Sequence, residues 1–225
     1  MRLTRGRVLH GAVEVADAEG IDALTMRHLA SELGVEAMSL YHHIPNKESV
    51  YDGMVELILE EIIAEADAVP VTWADDDWRT ELRARLLAAR RVQLRHKWAP
   101  GLIAHRSDMH HLVITWFDAL LGVLHRGGFS WDLAHHALHA IGSYALGFSQ
   151  ELFVPASPEA AEEAEAMFEQ IKDQYPNLMQ MMAEVSHDDL DSAIGWCDDQ
   201  TEFEFSIDVL IEGLEQRRLR EATES

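Results

Sequence analysis

Gly34 stands between two short helical patterns, and no other residue limits more tightly what this chain can fold into. Upstream, Thr25 is a natural N-cap, and Leu29, Ala30 and Leu33 share one helical face. Gly34 follows where a left-handed residue would end that helix, a conformation glycine adopts without a Cβ penalty. Downstream, Val35 can plug the corner, and Leu40 with Ile44 gives a second helix a buried stripe one turn apart. The spacing predicts a helix-turn-helix. Met38, Ser39, Tyr41, His42 and His43 fall on the opposite face of the second helix, and such side chains hydrogen-bond, stack or touch a thymine methyl. A merely solvated helix would carry Glu, Lys and Gln there. An exposed αα-hairpin with incidental polar residues is the competing reading at this level.

Two helices this short cannot exclude water unaided, so a third is required. Residues 4–19 supply it, with Val8, Ala12, Val15 and Ala16 on one face and Gly20 as C-cap. Arg2 and Arg5 precede it, placed either for a phosphate or as a charged terminus. Pro45-Asn46-Lys47 stops the second motif helix, and Asn46 caps a helix over 47–66 carrying Val50, Met54, Leu57, Ile58 and Glu61 at the 3.6 period. Lys47 and the free N–H groups beside it suit a phosphate.

Leu24-Thr25-Met26-Arg27-His28-Leu29-Ala30, then Leu33-Gly34-Val35, Ser39-Leu40-Tyr41-His42-His43 and Asn46-Lys47, resemble the DNA-binding domain of the TetR family of transcriptional regulators over residues 3–59. Gly128-Phe129-Ser130 and residues 137–147 extend a weaker likeness to the tetracycline-repressor-type regulatory domain. The resemblance implies an all-α subunit: a three-helix DNA-binding domain over residues 1–46, joined through helix 47–66 to a ligand-binding and dimerisation domain over residues 47–225. It implies a repressor that holds a palindromic operator as a homodimer and releases it when a small-molecule effector binds. Thr25, Arg27, Met38, Ser39, Tyr41, His42, His43 and Lys47 are then the candidates at DNA, and Trp98, His105, Met109, Trp116, His139 and Tyr144 those at the effector. Tetracycline itself fits poorly. Its repressors hold drug and magnesium with histidines near the end of the fourth helix and in the kinked sixth, where Glu60-Glu61 and Trp98-Ala99-Pro100 stand here. An apolar or amphipathic effector is expected instead.

A formal charge of −22 sits awkwardly with DNA binding until its distribution is considered. Residues 1–50 hold Arg2, Arg5, Arg7, Arg27 and Lys47 against seven carboxylates, so nearly all the excess acid lies beyond the motif. Local sign governs phosphate contact. The most basic run, Arg79, Arg83, Arg85, Arg90, Arg91 and Arg95, is expected outside a helix over 78–96 whose inner face is Leu82, Leu86, Ala89 and Leu94, pairing with the acidic body. Pro100-Gly101 predicts a short or kinked helix, and a longer one over 108–125 ends at Gly127-Gly128. Over 130–152, Ala134, Leu138, Ile141, Ala145, Phe148 and Leu152 alternate steps of four and three. Phe203, Ile207, Leu210 and Leu214 repeat the cadence near 199–218. Two such seams predict a four-helix bundle with a second subunit, the alternative being seams that pack on each other within one monomer. Residues 157–191 are acidic and weakly determined.

Other chemistry is thinner. Asp75-Asp76-Asp77 lacks the later ligand positions of a calcium loop and is better placed as an acidic helix start. His135 and His139 share a face, with His105, His110 and His111 as a second cluster, but no HExxH or cysteine pair accompanies them. A helical metal-binding protein or enzyme built on those histidines is the alternative function. No catalytic residue, cofactor or metal is expected. No stretch has the length of a membrane span or the apolar core of a secretory signal, and Cys197 is single, so a cytoplasmic protein without a membrane partner is expected.

Overall fold

The Thr4 hydroxyl accepts the Arg7 N–H at 3.2 Å and starts α1, Arg5–Glu19, the first helix of a computed structural model. The structure describes residues 2–69, 78–105, 110–147, 163, 166, 167, 170, 172–184 and 199–224. They form two compact units, residues 1–149 with 207–225, and residues 150–206.

In the first unit a 3-10 turn, Ile21–Ala23, leads to α2, Met26–Glu32, then α3, Ala37–Tyr41, and α4, Lys47–Asp67. Asn46 caps α4 through its Oδ1, which accepts the Ser49 N–H at 2.8 Å. Val8, Leu9, Ala12, Val15 and Ala16 of α1 close over Leu29, Ala30, Leu40, Ile44, Val50 and Met54 in one apolar cluster. This is the third helix that the motif needs. The far half of α4 joins a second cluster, in which Ile58 and Ile62 meet Ala89 and Val92 of α5, Trp78–Arg95, and Ala99 of α6, Ala99–Ala104. The long helix α4 is therefore shared by both cores.

Helices α7, His111–Arg126, and α8, Trp131–Gly147, complete the body with α10, Asp199–Glu224, whose residues from Ile207 belong to this unit. Helix α5 runs antiparallel to α4, and Arg85 meets Asp67 at 3.0 Å, Arg91 meets Glu65 at 3.3 Å, and Arg95 meets Glu61 at 3.1 Å and Glu65 as well. Its other edge faces α10, where Arg83 bonds Asp208 at 2.7 Å and Arg79 approaches Glu215 at 3.5 Å. The basic run thus pairs with the acidic body. Arg90 departs from that pattern: it is 2% exposed, while Leu94, expected inside, is 38% exposed. The buried positions follow 82, 86, 89 and 93, so Gln93 takes the inward place assigned to Leu94.

The two seams lie mostly on the inner sides of their helices. Ile141, Phe203, Ile207 and Leu214 are buried within the chain, while Leu138 and Leu210 are half-buried and keep part of their surface accessible. A buried seam records packing without saying whose helix fills it. Phe148 and Leu152 lie outside the described residues, as does the Ala145 side chain. Outside, α10 exposes Val209, Gly213 and Gln216, and α8 exposes Trp131, His135 and His139.

Trp78 opens α5 with its ring edge-on to Phe129 at 4.7 Å. A Cβ at Gly127 would lie 2.5 Å from Trp78 Cγ and 2.7 Å from its Cβ, atoms that cannot swing away. Gly127→Ala should accordingly cost about 1–3 kcal/mol through overpacking. Chemical denaturation checks this, and a variant as stable as the parent would contradict it.

The second unit contains a 3-10 turn, Lys172–Gln174, helix α9, Pro176–Glu184, and the first residues of α10, among them exposed Phe205. Among the described residues no helix is long and apolar enough to cross a membrane.

Candidate functional site

The turn between α2 and α3 is closed by two backbone bonds. Gly34 N–H donates to Ser31 C=O at 3.0 Å and Val35 N–H to Ala30 C=O at 2.9 Å, with Gly34 at φ 66°, the paired pattern of a Schellman cap. Thr25 starts α2 by accepting the His28 N–H at 3.1 Å. Helix α3 then stops at Tyr41, shorter than the 3.6 pattern through Ile44 implies, because Ile44 precedes Pro45 and is disfavoured in helix. His42 and His43 consequently sit in the turn after α3, where the N–H groups of His43 and Ile44 both reach Leu40 C=O. Leu40 and Ile44 anchor this segment in the core, leaving Met38 69% and Tyr41 43% exposed on its outer side.

Thr25, Arg27, His42 and His43 are exposed, and Ser39 and Lys47 half-exposed, around the same motif. Lys47 Nζ lies 5.0 Å over the Tyr51 ring at the start of α4. Other basic groups nearby have protein partners: Arg5 bonds Glu56 at 3.0 Å, Arg7 donates to Leu33 C=O at 3.2 Å, and His28 lies 3.2 Å from Glu19. An exposed aromatic, hydroxyl and imidazole surface flanked by Arg27 and Lys47 can stack, hydrogen-bond and meet phosphate.

A cavity of about 60 Å³ lies in the body of the same unit. Its walls come from Ile62 of α4, Ala89 and Gln93 of α5, Ile103 of α6, Trp116 and Phe117 of α7, and Ile141 of α8, and no charged side chain lines it among the described residues. Of the six effector candidates, Trp116 is at the wall. Trp98 packs against both apolar clusters instead, His105 and His139 are exposed, Tyr144 is half-buried outside the lining, and Met109 lies outside the described residues. Gln93 is absent from the candidates because the inner face of α5 is offset by one residue from the expected one.

Between cavity and motif lies a polar junction that pattern reading does not find, since its members are 79 and 35 residues apart. His96, at the end of α5, places Nδ1 2.8 Å from Asp17 Oδ1 of α1 and Nε2 3.2 Å from Glu61 Oε2 of α4. The imidazole thus spans two carboxylates, one on each ring nitrogen. Trp98 Nε1, just before α6, donates to the same Asp17 at 2.7 Å. Burial works to raise the Glu61 carboxyl, but Arg95 and His96 outweigh it and hold the group below its ordinary value.

The histidines assemble no metal site of three or more His, Cys, Asp or Glu groups among the described residues. His135 and His139 meet ring to ring at 4.6 Å, as do His110 and His111 at 4.5 Å, and His105 Nδ1 is 2.6 Å from Gly101 C=O.

Residues 8–54 match the family model for bacterial regulatory proteins of the tetR family, and residues 70–218 match the tetracyclin repressor-like C-terminal domain. The chain belongs to the TetR family. Among TetR-family relatives, it is 29% identical to the tetracycline repressor protein class C of Escherichia coli over 218 residues, 97% of this chain and 93% of that one. It is also 29% identical to the HTH-type transcriptional repressor DrrR1 of Streptomyces coeruleorubidus over 145 residues, 64% of this chain but about half, 52%, of that protein's length. The TetR fold is shared with the Streptomyces coelicolor TetR family protein ActR, solved in complex with actinorhodin, at a TM-score of 0.72 and 23% identity over 97% of this chain and 99% of that one.

Proposed function

We propose that this TetR-family chain is a ligand-responsive transcriptional repressor of the cytoplasm and not an enzyme, with residues 1–46 reading DNA and residues 47–225 pairing subunits and sensing a small molecule. The observation that carries this is the surface around Tyr41, held outward by buried Leu40 and Ile44 on a glycine-closed helix-turn-helix. As a homodimer it would set two such surfaces in major grooves about 34–36 Å apart, or a multiple of that, on a palindromic operator. Thr25, Arg27, Met38, Ser39, Tyr41, His42 and His43 are assigned to bases or backbone and Lys47 to a phosphate. Selection of bound fragments from genomic DNA, followed by gel-shift titration at two salt concentrations, tests it. Recovery of one palindromic sequence, bound less tightly at higher salt, is the expected result, and a chain that enriches no sequence overturns it.

Effector control would pass through the junction at His96. Helix α6 carries Ile103 in the cavity wall, and Trp98 just before it holds Asp17 of α1, so a displaced wall pulls on the reading unit. The effector must favour the displaced arrangement over the DNA-bound one to shift the population. His96→Leu would leave the Asp17 and Glu61 carboxylates without the donor between them. A loss of about 1–3 kcal/mol is expected, read by scanning calorimetry as a melting temperature lower by roughly 2–12 °C. An unchanged melting temperature would remove His96 from this role.

A further inference from the structure

Gln93 is 6% exposed and lines the cavity, and its side-chain amide bonds no other described residue. A primary amide carries two donors and an acceptor, and leaving such a group unsatisfied in an apolar interior is costly. The surrounding walls offer almost nothing else to bond: Ile62, Ala89, Ile103, Phe117 and Ile141 are apolar, and Trp116 can add a single indole N–H. We propose that the effector is an electrically neutral, largely apolar ring compound, bound without a metal ion and held through one donor-acceptor group on the Gln93 amide. The inference rests on the effector-binding reading above.

Charge decides the class. A carboxylate or ammonium moved into this cavity would lose its hydration and find no opposite charge in the described lining to offset that loss. Arg90 is buried on the same helix, yet it is not in the wall. A magnesium chelate is disfavoured for a related reason: no carboxylate or imidazole lines the described walls to complete the shell of a hard cation. A neutral carboxamide, lactam or phenol ring system instead buries its apolar surface against apolar walls and meets Gln93 with its one polar edge.

Size adds the coupling. The cavity, at about 60 Å³, is smaller than the roughly 150 Å³ that admits benzene in an apolar protein interior. A ring therefore enters only by moving a wall, and the Ile103 wall is the one that continues to Trp98 and Asp17. Binding and release of the reading unit become one event.

The test uses the full chain and six probes: benzene, benzamide and benzoate, and naphthalene, 2-naphthamide and 2-naphthoate, titrated by calorimetry with and without EDTA. At least one amide should bind, its matching carboxylate should bind about 100-fold more weakly or not at all, and EDTA should change nothing. Gln93→Leu should weaken the amide by about 3- to 10-fold while leaving the matching hydrocarbon bound at least as well. Carboxylates binding as tightly as amides, loss of binding in EDTA, an amide indifferent to Gln93→Leu, or silence from all six would each overturn the proposal. Operator gel shifts with the bound amide separate the two readings. An amide that binds through Gln93 without releasing DNA preserves this site and rejects the effector role, whereas operator release by some other, charged compound preserves the role and rejects this site.

Discussion

Tyr41→Ala is expected to lower operator affinity by about 30-fold to about 20,000-fold while leaving helicity and subunit association unchanged. The side chain is exposed, and the α3 segment is held by Leu40 and Ile44 beneath it, so truncation removes contact surface and little packing. A good base contact is worth about 1–3 kcal/mol of discrimination. A two-fold dimer loses it twice, and every 1.4 kcal/mol is tenfold. Gel-shift titration at fixed salt gives the affinity, and circular dichroism with sedimentation checks the rest. Tyr41→Phe keeps the ring and drops the hydroxyl, so its loss should be smaller if stacking dominates and equal if the hydroxyl carries the contact. Unchanged affinity in Tyr41→Ala would remove α3 from the interface.

The helix-turn-helix is legible in the sequence because its determinants are local. A Thr cap, a glycine at positive φ and two apolar residues one turn apart each act within a few residues. The same locality explains where legibility fails. The length of α3 depends on Pro45 acting on Ile44, a restriction that outweighs the apolar period continuing through 44. In α5 the inward face was assignable only to within one residue. Leu94 is the hydrophobic choice by type, but the phase set by Leu82, Leu86 and Ala89 brings Gln93 inside. A polar residue occupying a core phase is itself the signal of a site, since burial of an unbonded amide needs compensation. The His96 junction carries no such signal, because Asp17, Glu61 and His96 meet only once α1, α4 and α5 are packed.

The largest change in assembly should come from Val209→Glu. Periodicity alone identifies apolar seams on α8 and α10 but cannot tell a partner helix within the protomer from one in a second copy. Here Ile207 and Leu214 on the inner side of α10 are buried in the chain, and its outer side exposes Val209, 51% accessible, with Gly213 and Gln216 completing the stripe. Gly213 has no neighbour within 4 Å of where a Cβ would stand, room that lets another helix approach closely. If this stripe and the exposed face of α8 form the two-fold interface, each copy of the variant buries one carboxylate without a partner. An uncompensated buried charge costs about 3–5 kcal/mol, and two-fold symmetry imposes it twice, so the dimerisation constant should fall by about 10,000-fold or more. Sedimentation at micromolar concentration should then show monomers of unchanged helicity, because Val209 is 51% accessible and stands outside the buried core. Operator binding should weaken in the same variant, since each half-site would be held independently. A persistent dimer would move the interface elsewhere on the body.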